Sequence, residues 1–158
     1  MTIHHVRRTR LVPAPREAVW DALAAFDRIV DWAPQVTHSA ATTEAVEGVG
    51  AARRVQVGRQ VLIETVTTWD PPATLAYRID GLPPIVAGAT NRWNLATARG
   101  GTLVSLTSLI DDGGTRRGRA ASRVVGRVMA KASDGMLDGI AAYLADTPSS
   151  VTPTEDAP

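Results

Sequence analysis

Between residues 35 and 111 the chain is cut into six short apolar segments by separators too brief to hold a crossover. The segments are 36–43, 52–57, 61–69, 75–80, 90–98 and 103–110. Between them stand VEGVG, GR, DPP, GLPPIVAG and RGG, all rich in turn-forming glycine and proline. Parallel neighbours need a connection of about a dozen residues or more, so these strands must run as an antiparallel meander. Whatever else the chain does, nearly half of it is committed to one sheet.

Two of the turns predict a register. In RRVQVGRQVLIETV, taking Gly58 and Arg59 as the central pair sets Arg53 opposite Glu64, Val55 opposite Leu62 and Val57 opposite Gln60. Glycine in the first central position suits a type II′ turn, which needs positive φ there. With Gly100 and Gly101 as the central pair of the last hairpin, Asn91 meets Ile110, Trp93 meets Ser108, Leu95 meets Leu106 and Thr97 meets Val104. Its apolar face must point inward, leaving Arg92, Asn94, Ser105 and Thr107 outside. Around WDPPATL, setting Thr68 opposite Leu75 pairs Val66 with Tyr77 and Glu64 with Ile79, which puts Glu64 on the apolar face. A charge and its partner, Arg53 and Glu64, are thereby expected inside the sheet.

Ahead of the meander, residues 5–12 alternate as a first strand. In PAPREAVWDALAAFDRIVDWAP, Pro15 suits a first helical turn, and Val19, Leu23 and Phe26 recur at helical spacing. A second helical piece over 28–32 must end before Pro34. After DDGG a long helix is expected over 115–145. On it Ala121, Val125, Val128, Ala132, Met136, Gly139 and Tyr143 form an apolar stripe, opposite a basic one of Arg116, Arg119, Arg123, Arg127 and Lys131. The expected fold class is therefore α+β: a curved antiparallel sheet of six or seven strands wrapped around a long C-terminal helix, with two short helices after the first strand. Residues 1–146 form one domain in this reading, and the Pro/Ser/Thr-rich piece 147–158 a disordered tail.

The bulk properties exclude much. With 158 residues and a formal charge of +1, the chain has no general attraction to nucleic acid. The absence of cysteine removes disulfides, thiol catalysis and Cys-ligated zinc together. No apolar run approaches the roughly 20 residues of a membrane span, so no integral membrane association is expected. MTIHHVRRTRLVPA has no apolar core of a secretory signal, so the expected location is the cytoplasm. The three histidines stand without a carboxylate cluster, the serines without a G-x-S-x-G context, and GVG without the lysine of a phosphate loop. No metal and no cofactor are expected.

The segments VPAPREAVWDALAAFDRIVDWAP, GVGAARRV, VLIETVTTWDPPATLAYRIDG and RWNLATARGGTLVSLTSLI, in this order and spacing, resemble the START-like or Bet v 1-like helix-grip superfamily (SRPBCC). Among its branches the chain is most similar to small bacterial proteins of the polyketide cyclase/dehydrase type. The resemblance covers about residues 5 to 145. It implies an internal apolar cavity entered through loops at the sheet's open end, with Gly48 and Gly50 in a glycine-containing loop and DGLPPIVAG flanking the entrance.

Candidate ligand-binding residues are Arg53, Glu64, Tyr77, Asn91, Trp93, Trp32 and Ser108. In one reading Arg53 holds a ligand carboxylate, phenolate or enolate while Glu64 fixes the guanidinium; in the other the two form a cross-strand ion pair with no ligand. Shielded from water, such a pair gains little net stability, so stability is a poor reason for keeping it. Trp32 and Trp93 either line a pocket or fill core. Tyr77 and Asn91 offer hydrogen bonds to a ligand or satisfy each other and the backbone.

Two functions fit. One is a carrier or sequestering protein for a small hydrophobic molecule such as a lipid, polyketide or isoprenoid. The other is an aromatase/cyclase acting on a poly-β-ketone, with Arg53 stabilising an enolate and Glu64 or Tyr77 moving protons. A third possibility, an adaptor whose basic helix recognises a partner, rests only on the basic stripe. No catalytic residue and no oligomeric state can be named from sequence.

Overall fold

A computed structural model describes residues 2–146; the tail expected to be disordered lies outside the described residues. Seven strands form one antiparallel sheet: β1 (Ile3–Val12), β2 (His38–Ala41), β3 (Ala52–Val57), β4 (Gln60–Asp70), β5 (Thr74–Asp80), β6 (Gly88–Ala98) and β7 (Gly101–Asp111). Their order across the sheet is β1-β7-β6-β5-β4-β3-β2, so the meander from β2 to β7 runs continuously and β1 closes onto β7. Between β1 and β2 lie α1 (Arg16–Ala24) and a 3₁₀ turn (Phe26–Asp31), and after β7 the long helix α2 (Arg116–Asp146). This is the helix-grip architecture expected from the sequence.

The β3–β4 hairpin has the expected register, Arg53 facing Glu64 and Val57 facing Gln60. Gly58 sits at φ +59° and, among the described residues, no non-glycine residue has positive φ, which fits a type II′ turn. On β4 and β5 the pairs Glu64–Ile79 and Val66–Tyr77 also hold. A β-bulge between Val66 and Thr68 then moves the register by one, so Thr68 meets Ala76 rather than Leu75.

The last hairpin differs from expectation by two residues. Its central pair is Arg99–Gly100, so Asn91 faces Ser108, Trp93 faces Leu106, Leu95 faces Val104 and Thr97 faces Thr102. The reason is the work of the second glycine. A Cβ on Gly101 would lie 2.0 Å from the Val12 carbonyl oxygen, so Gly101 lets the end of β1 approach and is not a turn residue. A slip of two preserves the faces, and only the neighbours change.

The long helix also differs. Its sheet-facing side is not the apolar stripe but a line of small residues, Gly118, Ser122, Gly126, Ala130 and Ser133, passing into Met136, Leu137 and Ile140. At Gly126 a Cβ would come within 2.9 Å of the His4 ring. Small side chains thus let α2 lie close on β1 and β7, the strands it packs against most. Arg8 and Arg10 of β1 reach across to Asp134 and Asp138 of α2. The expected apolar stripe is displaced toward one flank: Ala121 and Val125 are only partly buried against the core, and Val128 is 65% exposed. No helix among the described residues is long and apolar enough to cross a membrane.

Candidate functional site

Because the β-strands alternate faces, the inward row contributed by β3 and β4 includes Arg53 and Glu64, and the next row runs Val66–Tyr77–Asn91–Ser108 across four strands. Most of the inner face is apolar: Val55, Leu75, Ile79, Trp93, Leu95, Leu106 and Ile110 are buried in the main core. The two polar rows therefore sit in surroundings that give each unsatisfied group a high cost.

Arg53 is 3% exposed and Glu64 6%. The guanidinium donates from Nε to Glu64 Oε2 at 2.6 Å, and its Nη2 lies 2.6 Å from the same oxygen. Its Nη1 donates to the Phe26 carbonyl, also at 2.6 Å. Its carbon centre is 3.8 Å from the Phe26 ring centroid and 4.9 Å from that of Tyr77. A desolvated cation over aromatic faces gains about 2 kcal/mol. Arg53 is thus enclosed on every side by protein groups.

Glu64 is not enclosed in this way. Both guanidinium contacts fall on Oε2, and Oε1 takes no hydrogen bond from the described residues. Glu64 borders a cavity of about 130 Å³ between the sheet and α2. Leu62 and Ile79 form its sheet side, Met129 and Met136 its helix side, and Gln60, Leu82 and Val128 its mouth. Asn91 and Ser108 also reach the cavity. Ser108 Oγ donates to Asn91 Oδ1 at 2.7 Å, and Asn91 Nδ2 donates to the Tyr77 hydroxyl at 3.3 Å, which also accepts from Trp93 Nε1 at 3.4 Å. The Asn91–Ser108 bond exists because of the two-residue shift in the last hairpin.

The seven residues singled out from sequence therefore separate into two groups. Glu64, Asn91 and Ser108 line the cavity; Arg53, Tyr77, Trp93 and Trp32 do not. The second group forms a layer behind. Trp32 and Trp93 pack edge to face with centroids 5.8 Å apart, and the Tyr77 hydroxyl anchors the amide of Asn91. Burial first, and the Glu64 charge second, push the Tyr77 phenol above its ordinary pKa, so it stays neutral. Relative to the sequence reading, the positions of the charged pair are exchanged: the carboxylate meets the cavity, and the guanidinium holds it from behind.

Sequence reasoning passed over Ser133. It lies on the close-packed side of α2, is 1% exposed and borders the cavity, and its Oγ has no hydrogen-bond partner. The signal was present as a serine in helical register with Gly126 and Ala130, but the apolar stripe drew the reading to the other flank. A wider groove of about 260 Å³ lies between α1 and the end of α2. Its border carries Asp21, Arg28, Asp31 and, of the seven candidates, Trp32, whose Nε1 is buried without a hydrogen-bond partner.

The model of the family described as polyketide cyclase/dehydrase and lipid transport matches residues 4–145. The chain belongs to that family. No curated protein matches it significantly in sequence. Among solved structures it is similar to the Zhui aromatase/cyclase from Streptomyces sp. R1128, with 24% identity, TM-score 0.72, and coverage of 91% of this chain and 94% of that one. It is also similar to Ara h 8.0201, with 16% identity, TM-score 0.76, and coverage of 92% and 100%. The di-domain ARO/CYC StfQ from the steffimycin biosynthetic pathway matches at 15% identity and TM-score 0.72, over 90% of this chain and 51% of that one. At these identities the likeness is one of fold.

Proposed function

We propose that the protein binds a small hydrophobic molecule, of lipid, polyketide or isoprenoid character, in the cavity between sheet and α2, as a cytoplasmic carrier or sequestering protein. The observation that carries this reading is the Glu64 carboxylate, buried among apolar side chains with one oxygen directed at open space and the other held by Arg53. Burying such a pair gains little for stability. As a fixed polar point on an oily wall, it orients a ligand whose affinity comes from apolar burial, at about 25 cal/mol per Å². A cavity of about 130 Å³ encloses a ring or a short chain. Any longer part of a ligand would emerge at the mouth, between the Gly58–Arg59 hairpin and α2.

Polyketide cyclisation in the same cavity is the second reading, favoured by the family match and by the aromatase/cyclases among the similar structures. Glu64 would then take a proton from the poly-β-ketone. The enolate so formed would lie beside a carboxylate with no cation on the cavity wall, because Arg53 is spent on Oε2 and the Phe26 carbonyl. That arrangement disfavours enolate chemistry and supports binding over catalysis.

Native mass spectrometry of the protein purified from its own host tests the proposal. A hydrophobic molecule that co-purifies and is released on unfolding supports it. A protein that emerges empty and fails to take up any apolar probe contradicts it.

A further inference from the structure

The polar groups on the cavity wall specify more than hydrophobicity. Glu64 Oε1 is an acceptor with no protein donor. Ser108 Oγ has spent its hydrogen on Asn91 Oδ1, so toward the cavity it presents lone pairs. Ser133 Oγ, on the facing helix, has no partner at all. Helical serines commonly return their hydroxyl to the carbonyl four residues earlier, and this one does not. Among the described residues, no arginine, lysine or histidine lines the cavity, and Glu64 is its one charged group. The amides of Gln35 and Gln60, which also line the cavity, each donate to a backbone carbonyl, those of Ala132 and Gly81, and the one charge on the wall is negative. An anionic ligand there would meet a like charge with no cation beside it, whereas a hydroxyl or amine would satisfy an acceptor that no protein donor meets.

On the reading that this cavity is the ligand site, we infer that the enclosed part of the ligand is a compact, ring-sized apolar group bearing a neutral or cationic hydrogen-bond donor. The donor goes to Glu64 Oε1, the Ser133 hydroxyl supplies a second contact from the helix side, and carboxylates are refused. The role assigned to Arg53 follows: it is a positioning residue that holds the carboxylate in place and never meets the ligand. Specificity for a donor is the kind a buried polar group enforces well, because an isostere lacking the donor leaves that group unpaired.

Isothermal titration calorimetry of the full chain near neutral pH with phenol, toluene and benzoate distinguishes the possibilities. Phenol is expected to bind at least tenfold tighter than toluene, and benzoate more weakly than either. Ser133→Ala, which leaves the Arg53–Glu64 pair intact, should reduce the preference for phenol over toluene severalfold. Toluene bound as tightly as phenol, benzoate bound tightest, or a Ser133→Ala variant with the wild-type preference would overturn the inference while leaving the cavity as a ligand site. Failure of all three probes to bind would overturn the cavity reading itself.

Discussion

Replacing Arg53 by methionine isolates the electrostatic part of the site. Methionine keeps an apolar, polarisable body over the Phe26 and Tyr77 rings, so packing is largely retained. What disappears is the pair of contacts on Glu64 Oε2 and the donor to the Phe26 carbonyl. Glu64, 6% exposed, is then a carboxylate in apolar surroundings without a partner. Removing one member of a buried ion pair costs about 3–5 kcal/mol. In a domain of this size about 1 kcal/mol corresponds to roughly 2–4 °C, so a loss of roughly 6–20 °C in Tm is expected. Removing both charges in Arg53→Met/Glu64→Leu should recover most of the loss, because apolar replacement of a whole buried pair is about neutral. Circular dichroism with thermal and urea unfolding of the three variants measures this. A single variant within about 1 kcal/mol of wild type would mean that water reaches the pair, and a double variant as unstable as the single would mean that charge is not the cause.

Gly101→Ala should cost at least about 2 kcal/mol, since its Cβ would press on the Val12 carbonyl at 2.0 Å, whereas Gly100→Ala, whose nearest neighbour would be Leu11 Cδ2 at 3.9 Å, should cost about 1 kcal/mol for its positive φ alone. Urea unfolding of the two variants checks the order; equal costs would refute the close approach. Tyr77 makes a prediction at high pH. Its folded pKa lies above the unfolded value of about 10, so above that pH the unfolded chain releases a proton that the folded chain keeps, and stability falls as pH rises. Tyrosinate absorbance from Tyr77 should therefore develop only together with loss of the folded CD signal, and ionisation of Tyr77 within the intact fold would contradict its burial.

What was legible in the sequence depended on whether one residue had one task. Gly58 serves only its turn, and the β3–β4 register follows from it residue by residue. Gly100 and Gly101 look equivalent in sequence, but one takes the turn's positive φ and the other makes room for β1, a contact about 90 residues away that no local pattern reveals. The helix misled for a related reason. Periodicity finds the most hydrophobic face, and here the buried face is small instead, because α2 must lie close to β1. At the site, pairing placed Arg53 beside Glu64 correctly, yet nothing in the sequence says which of two opposed charges meets a cavity. That is decided by the Phe26 carbonyl and two aromatic rings, which arrive from the 3₁₀ turn and β5 and leave the guanidinium no free direction.

The most direct test is a crystal structure of the full chain soaked with phenol. The account predicts a ring enclosed between Leu62, Ile79 and Met136, its oxygen within hydrogen-bond distance of Glu64 Oε1, and the Arg53 guanidinium still on the Phe26 carbonyl. Side chains closing that space, or a guanidinium turned away from Phe26 to meet the ligand, would contradict it.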